Sequence, residues 1–423
     1  MLRVLKTKMQ RDNQVSIRKQ GSIDLAMRKY RDILTGILIG LAAPIVLQAQ
    51  SKPQSALNAA NSAIQLEQQG RNAEAETAWR AVAKLHPASA EPYAHLGLLE
   101  ARQEHYKEAI PLYKKALTLN PAMPGLRLNL GLALFKAGDL KQAIVVFQPL
   151  LKSLPKASPD AQRLKILLGM AHYGLGNYAQ ATPYLKEAAS SDPQNLALRL
   201  SLAHSCLWSK QYQCVLDTYH EILALNAESA EADMLAGEAQ DELKNHVGAI
   251  EQFQAAVRAN PKEPNVHFGL GYLLWTQRRY PEAVDAFQAE LANDPSHAQS
   301  MLYEADADMQ LNHPELALPL LEKVKQLAPQ LSLARLDLGL LYADAGRKDE
   351  ALAEMQEAAR LAPDEASTHW HLARLYRTMG KSVEAKTEFA KAGNIHKASD
   401  DALKDKMSGA GTQPKPAGTT DKP

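Results

Sequence analysis

The sequence predicts an all-α fold, an α-solenoid of about ten helix-turn-helix units. Three observations carry that reading. Ala, Leu, Glu, Gln and Lys dominate and only 6% of residues are aromatic, a composition that favours helix. No run of alternating β-branched residues marks a strand. Prolines recur at Pro87, Pro121, Pro155, Pro193, Pro261, Pro295, Pro329 and Pro363, with Ala227 standing in once. Successive intervals are 34 residues, except for 38 between Pro155 and Pro193. A fixed period of this size marks a repeat architecture.

The first element is not part of the array. Residues 1–49 hold nine Lys/Arg against three Asp, 9 − 3 = +6, which leaves 39 − 44 = −5 for the remaining residues. Arg28, Lys29 and Arg31 precede an apolar core from Ile33 to Leu47, followed by Ala49. That order is the n-region, h-region and small-residue pattern of a secretory signal. It predicts export and a mature start near Gln50 or Ser51, with Met27 as the alternative start of translation. The competing reading is an uncleaved inner-membrane anchor at residues 33–47, although fifteen residues broken by Gly36, Gly40 and Pro44 are short for a bilayer span. Residues 50–55 are a short linker.

The repeats fill 56–399, as units 56–89, 90–123, 124–157, 162–195, 196–229, 230–263, 264–297, 298–331, 332–365 and 366–399. The closing residue is numbered position 32 throughout. Position 8 is then always small (Gly97, Gly131, Ala203, Gly271 and their equivalents), as is position 20 apart from Val215. Position 24 is always large and apolar, for example Tyr113, Phe147 and Phe287. Small residues belong where helices A and B of a unit approach closely, and the large one is expected to fill the space toward the next unit. Gly70, Gly138, Gly176, Gly346 and Gly380 at position 15 end helix A where a left-handed residue is easiest for Gly. Proline at position 32 ends helix B.

These residues resemble the tetratricopeptide repeat (TPR), which places Trp, Leu, Gly and Tyr in its first helix and Ala, Phe, Ala and Pro in and after its second. Residues 90–123 match at Tyr93, Leu96, Gly97, Ala109, Tyr113, Ala116 and Pro121. The resemblance implies a right-handed superhelix that binds proteins. Three departures stand out. Residues 158–161 are inserted, Pro149 should kink a B helix, and Glu304 replaces an apolar residue in unit eight, where packing is expected to be weakest. Residues 396–407 should form a capping helix whose end, 400–407, lies beyond the last unit. The Gly/Pro/Thr-rich segment 408–423 is too poor in apolar residues to fold.

Chemistry is scarce. The thirteen histidines include His369 and His371, whose i, i+2 spacing puts them on different helix faces. No zinc-ligand spacing, phosphate loop or nucleophile elbow is present. No metal, no cofactor and no enzyme activity are expected, and the mildly acidic array argues against nucleic acid. Cys206 and Cys214 flank the turn of unit five; a disulfide there, or two separate thiols, are both compatible with the spacing.

One stripe on helix A, positions 2, 5, 9, 12 and 13, is required by neither neighbouring helix, and the resemblance places it on the concave side. Here it carries Leu128, Leu132, Phe135, Ile166, Met170, Tyr173, Leu200, His204, Leu207 and Trp208, then acidic Glu238, Asp241 and Glu242, then Phe268, Tyr272 and Trp275, with Leu302 and Met309 beyond. Such a stripe predicts a partner-binding groove for an apolar or amphipathic segment with basic residues facing the acidic interval. Trp208 and Trp275 are therefore expected to matter little to stability and much to binding. The bland alternative is that these residues touch one another and close the groove. The carboxylate clamp of some TPR proteins is absent, because position 5 never holds Lys and position 9 never Asn. The expected function is a non-catalytic protein-binding scaffold of a bacterial periplasm or cell envelope, reaching a membrane only through an uncleaved signal. The alternatives are a self-associating structural module, or the targeting subunit of an envelope glycosyltransferase or peptidase on another chain.

Overall fold

The computed structural model describes residues 54–156, 158–225 and 228–407; the signal segment and the 408–423 tail lie outside them. The described residues form twenty helices and no strand. Paired by unit, they are α1 (Gln54–Gln68) and α2 (Asn72–Leu85); α3 (Ala90–Arg102) and α4 (Tyr106–Leu119); α5 (Leu126–Lys136) and α6 (Leu140–Ser153); α7 (Pro159–Gly174) and α8 (Tyr178–Ser191); α9 (Leu196–Trp208) and α10 (Tyr212–Ala224); α11 (Ala230–Glu242) and α12 (His246–Ala259); α13 (Val266–Thr276) and α14 (Tyr280–Asn293); α15 (Ala298–Gln310) and α16 (Pro314–Leu327); α17 (Ser332–Asp344) and α18 (Lys348–Leu361); α19 (Ala366–Thr378) and α20 (Ser382–Met407). Odd numbers are A helices and even numbers B helices. Two compact bodies divide them, the first ending at Asn245 and the second beginning at His246. In each body a helix packs on the helix before and after it, and several A helices also touch the next A helix. That is an α-solenoid.

Position 8 has a sharper reason to be small than the approach of two backbones. A Cβ built on Gly131 would lie 2.3 Å from the Phe147 ring, and one on Gly271 would lie 2.7 Å from Phe287. In units two, three, four, seven and nine the large residue at position 24 therefore seats on helix A of its own unit. Phe253 instead presses on Gly269 of the following unit, where a Cβ would come within 2.1 Å.

Every A helix ends in a left-handed residue at position 15. Five are the expected glycines; the other five are Glu104, Lys210, Lys244, Arg278 and Asn312, with φ between 60° and 67°. The turn imposes the conformation whatever the residue, because it closes orphan carbonyls: Gln211 N donates to Cys206 O at 2.8 Å and Lys210 N to Leu207 O at 2.9 Å. This is the paired-bond helix stop that glycine normally serves.

The departures resolve locally. The 158–161 insertion is no loop: Ser158 Oγ accepts from Ala161 N at 3.2 Å, and Pro159 opens α7, so unit four begins earlier than the repeat boundary suggests. Helix α6 continues through Pro149 to Ser153. Unit ten has Lys397 where proline would stop helix B, and α20 runs unbroken for 26 residues to Met407.

Unit eight is not loose. Helix α15 is buried from Ser300 to Asp308, including the carboxylates of Glu304, Asp306 and Asp308. Gln288 Nε2 donates to Glu304 Oε1 at 2.9 Å. Burial pushes the Glu304 carboxyl up, a bond from Gln288 partly offsets this, and Asp308 adds to the rise; Asp308 is also raised, chiefly by burial. Unit seven uses an acid differently. Glu290 on α14, buried, accepts from the backbone N–H groups of Asn265, His267 and Phe268 at 3.0–3.1 Å. It thereby caps the start of α13, where Asn265 adopts φ 66° and supplies no side-chain cap of its own.

Candidate protein-binding face

The A helices of the first body bring their stripe positions together by a simple rule. Tyr173, at position 12 of unit four, meets His204, at position 9 of unit five, with ring centroids 6.4 Å apart. His204 Nε2 lies 3.0 Å from Glu231 Oε1, at position 2 of unit six. Positions 12 and 9 of one unit thus engage positions 9 and 2 of the next. Tyr178, at the start of α8, packs edge-on against Tyr173 at 5.6 Å and tilted against Trp208 at 6.3 Å. Tyr212 Oη donates to Glu242 Oε2 at 3.4 Å. The second body repeats the rule: Trp275 Nε1, at position 12 of unit seven, donates to Asp306 Oδ2, at position 9 of unit eight, at 2.7 Å.

This pairing corrects the expected lining. Leu132, Phe135, Met170, Tyr173, Leu207 and Asp241 are buried, as are Phe268, Tyr272 and Leu302 in the second body. They are core, because adjacent A helices approach closely enough for their stripes to touch. Trp275 is half-buried, yet it is built into the same packing: it stacks on Tyr272 at 6.0 Å and meets the Tyr303 ring edge-on at 5.1 Å. The expectation that it is dispensable for stability therefore does not fit the structure.

A strip remains partly open in the first body. Leu128, Ile166 and Leu200, all at position 5 of successive units, are half-buried, as are His204, Trp208, Glu238 and Glu242. Met234 continues the row at position 5 of unit six and is half-buried too. Its position 5 register is the signal that marks it in the sequence. Two buried polar atoms beside the strip, Tyr178 Oη and His204 Nδ1, make no hydrogen bond among the described residues; burial pushes the Tyr178 phenol up. Tyr178 was missed because position 17 belongs to helix B and to no stripe pattern.

Cys206 and Cys214 are joined, Sγ to Sγ at 2.06 Å, across the α9–α10 turn. Among the described residues no group of three or more His, Cys, Asp and Glu side chains is gathered as a metal ion would need. His369 is held between Glu388 Oε2 and Pro363 O at 2.5 and 2.9 Å. A cleft of about 620 Å³ beside it, between α18, α19 and α20, offers little charge to a ligand, since its Lys391 pairs with Glu388 and its Arg360 with Glu357.

Two family models, both described as tetratricopeptide repeat, match the chain: one at 100–167 and 172–239, the other at 61–124, 216–264, 248–298, 268–332, 302–366 and 336–393. The chain belongs to the tetratricopeptide repeat family. TPR proteins act as protein-interaction scaffolds, and the fold is generally non-catalytic. Over 265 residues the chain is 25% identical to BBSome complex member BBS4 of Bos taurus, covering 63% of this chain and 49% of that protein. It is 24% identical to Protein O-mannosyl-transferase TMTC1 of Homo sapiens, covering 48% and 23%. The chain thus spans less than half the length of either relative. Solved TPR structures similar to it include MamA 41-end from Desulfovibrio magneticus RS-1, 23% identical with TM-score 0.37 over 40% of this chain and 97% of that one. Another is YrrB, "a TPR protein with an unusual peptide-binding site", 21% identical with TM-score 0.37 over 45% and 97%.

Proposed function

We propose that this TPR chain is a non-catalytic scaffold of a bacterial cell envelope, holding an apolar or amphipathic protein segment along the A helices of its first body. The observation that carries this reading is the row Leu128, Ile166, Leu200 and Met234, half-buried at one register in four consecutive units. A merely solvated face would be polar at those positions, and a continuous apolar strip with a charged end marks a partner site. Glu238 and Glu242 at that end favour basic residues on the segment. Export rests on the signal pattern before Gln50, and the Cys206–Cys214 disulfide supports an oxidising compartment.

The test is thermal stabilisation of the full chain by synthetic amphipathic peptides carrying Leu and Lys, compared with the double variant Ile166→Glu, Leu200→Glu. The reading expects stabilisation of the wild type and none of the variant, which should melt lower, since both side chains also pack on the core, yet still cooperatively and with unchanged helical content. Absence of stabilisation by any such peptide would overturn it. Concentration-dependent sedimentation abolished by the same variant would instead assign the strip to self-association.

A further inference from the structure

The last unit carries a face of opposite character. From Ala366 to Lys381 there is no acidic residue, and Arg374, Arg377 and Lys381 are exposed. Many surface arginines of this chain are neutralised one helical turn away: Arg71 by Glu74, Arg279 by Glu282, Arg347 by Glu350 and Arg360 by Glu357. Arg374 and Arg377 have no carboxylate within ion-pair distance among the described residues. Each instead lies over a ring. Arg374 Cζ is 4.8 Å from the centroid of Trp370, and Arg377 Cζ is 5.8 Å from that of Phe389. Stacking occupies the flat face of a guanidinium and leaves its N–H edge for a planar acceptor. Trp370, Arg374 and Arg377 hold positions 5, 9 and 12 of unit ten, and residues so spaced are neighbours on one helix face.

We propose that Trp370, Arg374 and Arg377 form a second docking surface, which takes an acidic protein segment. The two guanidiniums receive its carboxylates, and the half-buried Trp370 receives an apolar side chain between them. Charge complementarity chooses this occupant. A nucleic acid is disfavoured because the residues after 49 carry a net −5, from 39 Lys/Arg and 44 Asp/Glu, and would repel a long polyanion. The inference goes beyond the proposed function: it concerns another body and a partner of opposite charge, so either can fail alone. A cap that merely keeps the end of the repeat array soluble needs positive charge only, whereas carboxylate docking needs the fork of Arg.

The experiment is fluorescence anisotropy of the full chain with a labelled synthetic peptide repeating Glu-Glu-Leu-Ser. The same peptide with Lys for Glu, and an oligothymidylate, serve as comparisons. The proposal expects binding of the Glu peptide alone, weakening as salt is raised. It also expects a loss of about tenfold or more in the double variant Arg374→Lys, Arg377→Lys, with melting unchanged within about 2 °C. No binding of the Glu peptide, undiminished binding to the Lys variant, or equal affinity for oligothymidylate would each overturn it. So would self-association lost in the same variant, which would make a second copy the occupant.

Discussion

The indole of Trp275 donates to Oδ2 of Asp306 at 2.7 Å, joining α13 to α15 through a carboxylate that is itself buried. A tryptophan on the supposedly free stripe is thus a strut between units. Trp275→Ala is expected to cost about 2–4 kcal/mol, from lost ring packing and from withdrawing a donor from a buried acceptor. Trp275→Phe keeps much of the packing and should cost about half as much. Hydrogen exchange localises the damage: α13 and α15 should lose protection first, since neighbouring units stabilise one another. Unchanged exchange in those two helices would show the strut to be idle.

Glu304 is predicted to be a stability deficit at neutral pH. Its carboxyl is raised above the unfolded-state value, so the folded chain holds an extra proton between the two values. The stability contributed by that proton is complete in acid and disappears as pH rises through the raised folded value. Replacing Glu304 by the apolar residue usual at its position, Glu304→Leu, should stabilise the protein by about 1–3 kcal/mol near pH 7. The advantage should shrink on acidification. A gain independent of pH would mean that ionisation is not its source.

Left-handed residues other than glycine are strained, by about 1 kcal/mol each. Glu104 and Lys210 adopt φ 62° and 61°. Glu104→Gly and Lys210→Gly are therefore expected to raise stability by about 0.5–1 kcal/mol each, after the larger entropy that glycine brings to the unfolded chain. Being far apart, they should add. Calorimetric melting of the single and double variants checks both statements.

Thiol titration tests the compartment. With Cys206 and Cys214 joined and no other cysteine present, protein recovered from its native compartment and unfolded without reductant should show no reactive thiol. The same material after reduction should show both. Free thiols in the native material would argue against the oxidising compartment on which the export reading leans.

The repeat was legible because its period reports contacts inside a unit. Gly131 is small and Phe147 large in the same unit, so the sequence displays the pair at a constant offset. Contacts between units are spelled differently. Tyr173 with His204, and Trp275 with Asp306, share a register but no residue type, and a stripe read one helix at a time looks like a surface. Hence Tyr173, Phe268 and Tyr272 were assigned to a groove although they are core. Position 15 shows the opposite limit: glycine announced five left-handed turns, while hydrogen bonds to the last carbonyls impose the same turn on Glu104, Lys210, Lys244, Arg278 and Asn312. The row at position 5 was visible, and only the burial of its neighbours distinguishes it from them.

The cap that Glu290 places on α13 also has a direction in time. Its three backbone donors, Asn265, His267 and Phe268, precede it by 25, 23 and 22 residues. During synthesis, chain that emerges first begins to fold first, so the opening turn of α13 leaves the ribosome before the carboxylate that completes it. Unit seven cannot finish as a helix followed by a second helix; it finishes as a hairpin, when α14 folds back. An interruption of translation just before Glu290 would release a chain whose seventh unit has an unsealed beginning.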